Sequence, residues 1–294
     1  MSTLFSALDW RAMSQEDRDL GLNNGVAVPA SAEMAADWER RSAVMRQRHP
    51  DHIDLRYGPR ERNRIDFLKA REKSPTVLFI HGGYWQELSK DDSLFAAPDC
   101  LANGIAYAAI DYTLAPRANI AGIVDQCRRA VASLHRQAAT LAFDRRRLYV
   151  AGSSAGAHLA AMLLVRGWHG THGVPDDAVA GAVLLSGIYD LAPLVGTYID
   201  AALRLTAADT SALSPIRLPH GRSVPAIVTW GEFETGEFKR QSRAYAEKLQ
   251  VCGFSVSAFE VAGTNHFDIV FGLANRTNTL GRATLELVTG KHQI

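Results

Sequence analysis

Short apolar runs separated by amphipathic stretches dominate the chain. The runs at 76–80, 105–110, 148–151, 179–186 and 225–230 carry few polar positions, as strands buried on both faces do. Residues 52–57 and 64–68 read as two early strands, parted by Gly58-Pro59 and a charged stretch, and 255–261 alternates as a last strand. Helices are expected near 90–102, over 119–139, over 236–250 and toward the C-terminus. In 119–139 the residues Ile120, Ile123, Val124, Cys127, Val131 and Leu134 fall on one helical face. Strands alternating with helices predict an α/β fold, a mostly parallel sheet with helices on both faces. Sites on such sheets lie at the carboxyl ends of strands.

Two segments break the alternation. Residues 1–50 carry charge-rich helical patterns, including 32–48, and residues 188–224 form an irregular insertion. The expected organisation is one domain over 1–294, with both segments as small cap elements. The first segment is equally suited to pack on the sheet edge or to mediate a homodimer.

Three motifs follow predicted strands. After 148–151 comes Gly152-Ser153-Ser154-Ala155-Gly156, and an apolar helix pattern over 157–164 follows. G-x-S-x-G between strand and helix reads as a nucleophile elbow, which exposes the central serine at a sharp turn with small residues on either side. After 76–80 comes His81-Gly82-Gly83-Tyr84-Trp85, similar to the glycine loop that supplies oxyanion donors in lipases and esterases. The expected donors are the backbone N–H groups of Gly83, Tyr84 and Ala155, aimed at the charge that develops during acyl transfer. After 225–230 comes Gly231-Glu232-Phe233-Glu234, and after 255–261 comes Gly263-Thr264-Asn265-His266. The order Ser154, Glu234, His266 is that of a serine triad on an α/β sheet. A serine hydroxyl needs a general base, imidazole titrates near neutral pH, and a carboxylate fixes its tautomer. Glu232, Glu237 and Asp190 compete with Glu234. Glu237 suits a helix's first turn, and Asp190 suits a turn cap or a place lining the site. His81 and His158 read as structural residues beneath the site. Trp85 and Tyr112 are expected to line a substrate pocket with Tyr84, through stacking and apolar contact.

His169-Gly170-Thr171-His172 resembles part of a metal motif of the cyclase-like formamidases, but Gly173-Val174-Pro175 follows in place of the expected Asp. A solvated loop is the expectation there, with no metal and no cofactor.

These motifs, with Asp111-Tyr112-Thr113-Leu114-Ala115-Pro116, Ala157-His158-Leu159-Ala160, Asn265-His266-Phe267-Asp268-Ile269-Val270, Trp10-Arg11-Ala12-Met13-Ser14 and Tyr57-Gly58 to Phe67, resemble the kynurenine formamidase (arylformamidase) branch of the α/β-hydrolases, close to the hormone-sensitive-lipase-like esterases. The resemblance spans nearly the whole chain. It implies an α/β-hydrolase fold, a triad of Ser154, Glu234 and His266, and hydrolysis of N-formylkynurenine or related aryl amides. The family's acid is usually Asp, and Glu234 departs from that.

Composition adds limits. The chain has 294 residues, 47% hydrophobic and 21% charged, with net charge +1. These are ordinary globular values, and the charge gives no reason to expect nucleic acid. No apolar run reaches membrane-spanning length. Residues 1–10 lack the basic start and long apolar core of a secretory signal. Cys100, Cys127 and Cys252 are scattered, as reduced cytoplasmic thiols are. Three functions fit: an aryl-amide hydrolase, a carboxylesterase for short acyl esters using the same groups, and a non-catalytic ligand-binding protein on the same fold. A small-molecule substrate is expected for the first two.

Overall fold

The computed structural model describes residues 10–290; residues 1–9, on which the reading of no secretory signal falls, and residues 291–294 lie outside the described residues. Eight strands form one sheet in the order β1-β2-β4-β3-β5-β6-β7-β8. They are β1 Ile53–Arg56, β2 Arg64–Leu68, β3 Ser74–Ile80, β4 Ala106–Ile110, β5 Phe143–Ser153, β6 Gly181–Leu185, β7 Ala226–Gly231 and β8 Val256–Val261. β1 and β2 pair antiparallel with their neighbours. From β4 to β8 every pairing is parallel.

Helices cover both faces. They are α1 Gln15–Gly21, α2 Asn24–Ala27, α3 Ser31–Arg48, α4 Ala97–Ala102, α5 Ile120–Gln137, α6 Ala155–Met162, α7 His169–His172, α8 Asp200–Leu203, α9 Ala207–Ala212, α10 Gly236–Val251 and α11 Thr279–Thr289. The apolar runs in the sequence are explained by this double burial. On β3, Leu78 and Ile80 join the core shared with α5 and α6. Val77 and Phe79, on the opposite face, join the core beneath α3, α4 and α11. The predicted face of α5 is buried along its length, from Ile120 to Leu134.

Two boundaries differ from expectation. The helix expected over 90–102 divides into a 3-10 turn, Lys90–Asp92, and α4. Ser89 closes the turn by accepting the Asp91 N–H at 3.0 Å. Pro98 lies at the start of α4, where its missing N–H costs no helical bond. β5 begins at Phe143, well before the apolar run, because residues 144–147 include exposed Arg145 and Arg146 and hide the strand from an apolarity pattern. The 188–224 insertion contains α8, α9 and two 3-10 turns.

Candidate active site

Ser154 sits between β5 and α6 with φ 57° and ψ −122°, a backbone region that side-chain-bearing residues occupy only under constraint from their surroundings. The constraint is steric. A Cβ at Gly156 would overlap the Ile80 carbonyl oxygen, and one at Gly152 would overlap the Gly156 carbonyl oxygen. The serine is buried, and its N–H donates to Leu185 O at 2.9 Å.

The loop after β3 packs onto this elbow. A Cβ on Gly82 would lie 2.9 Å from Ser153 O, and one on Gly83, where φ is 84°, would lie 2.6 Å from Glu87 O. Tyr84 and Trp85 follow with φ 48° and 61°. The turn closes through Gln86 and Glu87 N–H groups donating to Gly83 O at 2.8 and 3.0 Å, and so uses neither the Gly83 nor the Tyr84 N–H. The Tyr84 hydroxyl donates to Leu22 O, tying the loop to the N-terminal segment.

Tyr112 and Trp85 are not pocket walls. Both are fully buried, and neither lines the cavity. Tyr112 stacks on His81 at 4.1 Å between ring centroids and donates its hydroxyl to His81 O at 2.9 Å and Gly82 O at 3.2 Å. It braces the glycine loop from below, because a phenol in the core must find acceptors and the loop carbonyls supply them. Trp85 stands edge-on to His158 at 5.1 Å. His158 Nε2 lies 2.7 Å from Leu213 O, and burial lowers its pKa to about 4, so it is a neutral structural residue. The metal-like segment also differs from the solvated loop expected of it. It forms α7, with His169 buried and stacked on Trp168 at 4.1 Å, and with His172 Nε2 3.0 Å from Asp125 Oδ1. No group of three or more metal-ligating side chains occurs among the described residues.

His266 follows β8 in a turn held by Asp268, whose carboxylate accepts Asn265 N at 2.7 Å and Asn265 Nδ2 at 2.8 Å. Its Nδ1 lies 3.3 Å from Glu234 Oε2. The Glu234 side chain is fully buried, and its Oε1 accepts Gly231 N at 2.6 Å and the Ser186 hydroxyl. The competing acids are engaged elsewhere. Asp190 takes both oxygens to the Arg217 guanidinium at 2.9 and 3.0 Å and caps Ala192 N. Glu232 accepts Gly263 N at 2.8 Å, and Glu237 pairs with Arg240 at 2.7 Å. Each is satisfied by partners other than His266.

Ser154 and His266 line one cavity of about 430 Å³ together with Gly83 and Tyr84. Asn24, Ala35 and Trp38 from the N-terminal segment and Tyr198 and Ile199 from the insertion complete its wall. The two segments are stitched together across it. Arg18 donates to Val195 O at 2.8 Å, and Tyr198 N donates to Asp19 Oδ1 at 3.0 Å. Two contributors went unseen in the sequence. Ser186, at φ 52° just past β6, holds Glu234. Trp38 donates to Phe267 O at 2.9 Å, beside the histidine. A serine ending a buried strand is the only sequence signal for the first. The apolar stripe of 32–48 is a weak one for the second.

The sheet order and the solved structures it matches define an α/β-hydrolase fold. A structure from Silicibacter sp. superposes at TM-score 0.80 with 24% identity, covering 92% of this chain and 98% of that one. The esterase of Pyrobaculum calidifontis superposes at TM-score 0.65 with 18% identity, covering 95% and 99%. A family model described as BD-FAE matches residues 67–175. The kynurenine formamidase of Danio rerio is 32% identical over 297 aligned residues, covering 95% of this chain and 98% of the relative. The chain belongs to the kynurenine formamidase family.

Proposed function

We propose that the chain hydrolyses N-formyl and N-acyl aryl amides, of which N-formylkynurenine is the type, through an acyl-enzyme on Ser154. The observation that carries this reading is the single cavity lined by Ser154 and His266, with Glu234 buried behind the imidazole. His266 takes the Ser154 proton as Oγ attacks the carbonyl carbon. The oxyanion is met by the N–H groups of Gly83, Tyr84 and Ala155, preorganised by the elbow and the glycine loop. His266 then gives its proton to the departing aniline nitrogen, and a water deprotonated by the same imidazole releases the acid. Glu234 holds the ring and stabilises the imidazolium. Residues 1–50 and 188–224 serve as the cap, a reading supported by their contributions to the cavity wall. The unpaired thiols of Cys100, Cys127 and Cys252 support a cytoplasmic setting.

The same groups would cleave short acyl esters, and the structural likeness to an esterase favours keeping that second reading. A panel of N-formylkynurenine, longer N-acyl anilides, aryl esters and alkyl esters separates the two. The aryl-amide reading expects higher kcat/KM for aryl than for alkyl substrates with the same acyl group, and expects Tyr84→Ala to erase part of that preference. Equal rates on aryl and alkyl substrates leave a general carboxylesterase.

A further inference from the structure

Two neighbouring carbonyls of the N-terminal segment take hydroxyls from two sides of the site. The corner between α1 and α2 spans residues 21–24. Gly21 O accepts the Thr235 hydroxyl at 2.5 Å, and Leu22 O accepts the Tyr84 hydroxyl. Tyr84 belongs to the glycine loop, and Thr235 directly follows Glu234. The corner holds Thr235 a second time, because Asn24 Oδ1 accepts its N–H at 3.1 Å. The corner is itself anchored. Leu22 and Asn24 are buried, Leu22 in the core, and Asn23 Oδ1 caps α2 by accepting Val26 N at 3.1 Å.

A second observation concerns what Thr235 leaves undone. It is the residue that opens α10, with extended backbone at φ −62° and ψ 154°. A threonine there ordinarily turns its hydroxyl to an N–H of the first helical turn, a local bond that stabilises the helix start. Thr235 makes no such bond. Its hydroxyl reaches across 214 residues of sequence instead. The residues before it are held from the β8 side, with Glu232 N donating to Val261 O at 3.2 Å and Phe233 N to Thr264 O at 2.9 Å. Ser186 and Gly231 N fix the Glu234 carboxylate. The main chain that carries it is fixed on its far side at Thr235.

We propose that Thr235 is a positioning residue for the triad: its tie to the 21–24 corner sets the acid loop, and so the placement of Glu234 against His266. The proposal rests on the serine-triad reading and deepens it. Because the same corner receives Tyr84, the acid loop and the glycine loop share one reference point. Misplacing a reacting group by about 1 Å costs about a hundredfold in rate, so a hydroxyl remote from the reacting atoms can govern turnover. Thr235 does not line the cavity, and its removal leaves the substrate wall in place.

Thr235→Val tests it, since valine keeps the branched shape and lacks the hydroxyl. With N-formylkynurenine and with p-nitrophenyl acetate, kcat is expected to fall about tenfold while KM stays within about twofold. Thr235→Ser keeps the hydroxyl and is expected to recover kcat to within about threefold of the wild type. In a Glu234→Gln background, Thr235→Val is expected to cost less than about twofold further, because it acts through the carboxylate; a general loosening of the fold would multiply with the first loss. Thr235→Ala makes the same measurement if the valine variant does not fold. Unchanged kcat without the hydroxyl, a loss confined to KM, a serine variant as slow as the valine one, or an undiminished loss on top of Glu234→Gln overturns the inference and leaves the triad reading intact. A Glu234→Gln enzyme near wild type, or a wild type inactive on both substrates, overturns that reading and the inference with it.

Discussion

Ser186 donates its hydroxyl proton to Oε1 of Glu234, which leaves Oε2 to face His266 Nδ1 at 3.3 Å. As the proposed triad acid, the glutamate is one methylene longer than an aspartate, and that extra reach must be held in place. Ser186 and Gly231 N do the holding, the latter at 2.6 Å. Ser186→Ala is expected to lower kcat about tenfold with little change in KM, since it frees a carboxylate that acts on the imidazole and leaves the substrate wall untouched. Glu234→Gln is expected to cost on the order of a thousandfold in kcat. Asp190→Asn is expected to keep most activity, because Asp190 serves Arg217. The reverse result, with Asp190→Asn inactive and Glu234→Gln near wild type, would move the acid to Asp190.

Ser154→Ala is expected to abolish hydrolysis while the protein stays folded, since alanine also fits the tight elbow. A phosphonate or sulfonyl fluoride should label the wild type at Ser154 alone, read by peptide mass. Full activity in the variant, or labelling elsewhere, sinks the serine mechanism.

Gly156→Ala is expected to prevent soluble expression or to lower stability by several kcal/mol. The added Cβ would overlap the Ile80 carbonyl, which is backbone in a central strand and has nowhere to move. Gly170→Ala is the control, because nothing lies within 4 Å of a Cβ there. Chemical denaturation of the two variants makes the comparison.

His158 makes stability depend on pH. Burial holds its pKa near 4 against 6.5 in the unfolded chain. Below pH 6.5 the unfolded chain takes up a proton that the fold refuses, so unfolding gains. The loss grows as pH falls from 6.5 and is complete below 4, at about 3 kcal/mol. The cause is visible in the contacts, since Nε2 serves Leu213 O and Nδ1 has no partner for a second proton. Urea midpoints at neutral and acid pH should differ less in His158→Gln than in the wild type. An equal slope in both would clear His158 of the effect.

The elbow, the glycine loop and the histidine turn were legible in the sequence because steric need restricts which residues can form them. Gly152, Gly156 and Gly82 stand where backbone approaches backbone, and apolar strands precede each motif. What the sequence concealed was contact between distant positions. Ser186 meets Glu234 across 48 residues, and Trp38 meets Phe267 across 229, with no local pattern to mark either pair. Tyr112 and Trp85 misled for a related reason. Position after a strand end suggests a cavity wall, but whether a ring faces the cavity or the core depends on what packs above it. The charged start of β5 was lost because residues 144–147 bulge out of the pairing with β3, between Phe143↔Ser74 and Leu148↔Thr76, and so need not be apolar.

The groups proposed to react all stand at the ends of β3, β5, β7 and β8, while much of the chamber around them comes from residues 24–38 and 198–199. The two sets belong to different stretches of chain and meet only in the folded molecule. Inheritance can therefore act on them separately. A transplant of residues 15–48 and 188–205 from a sister enzyme, kept together because Arg18 and Asp19 bind the insertion's backbone, would carry over the donor's appetite for substrates while the host's strand ends continued to do the cutting.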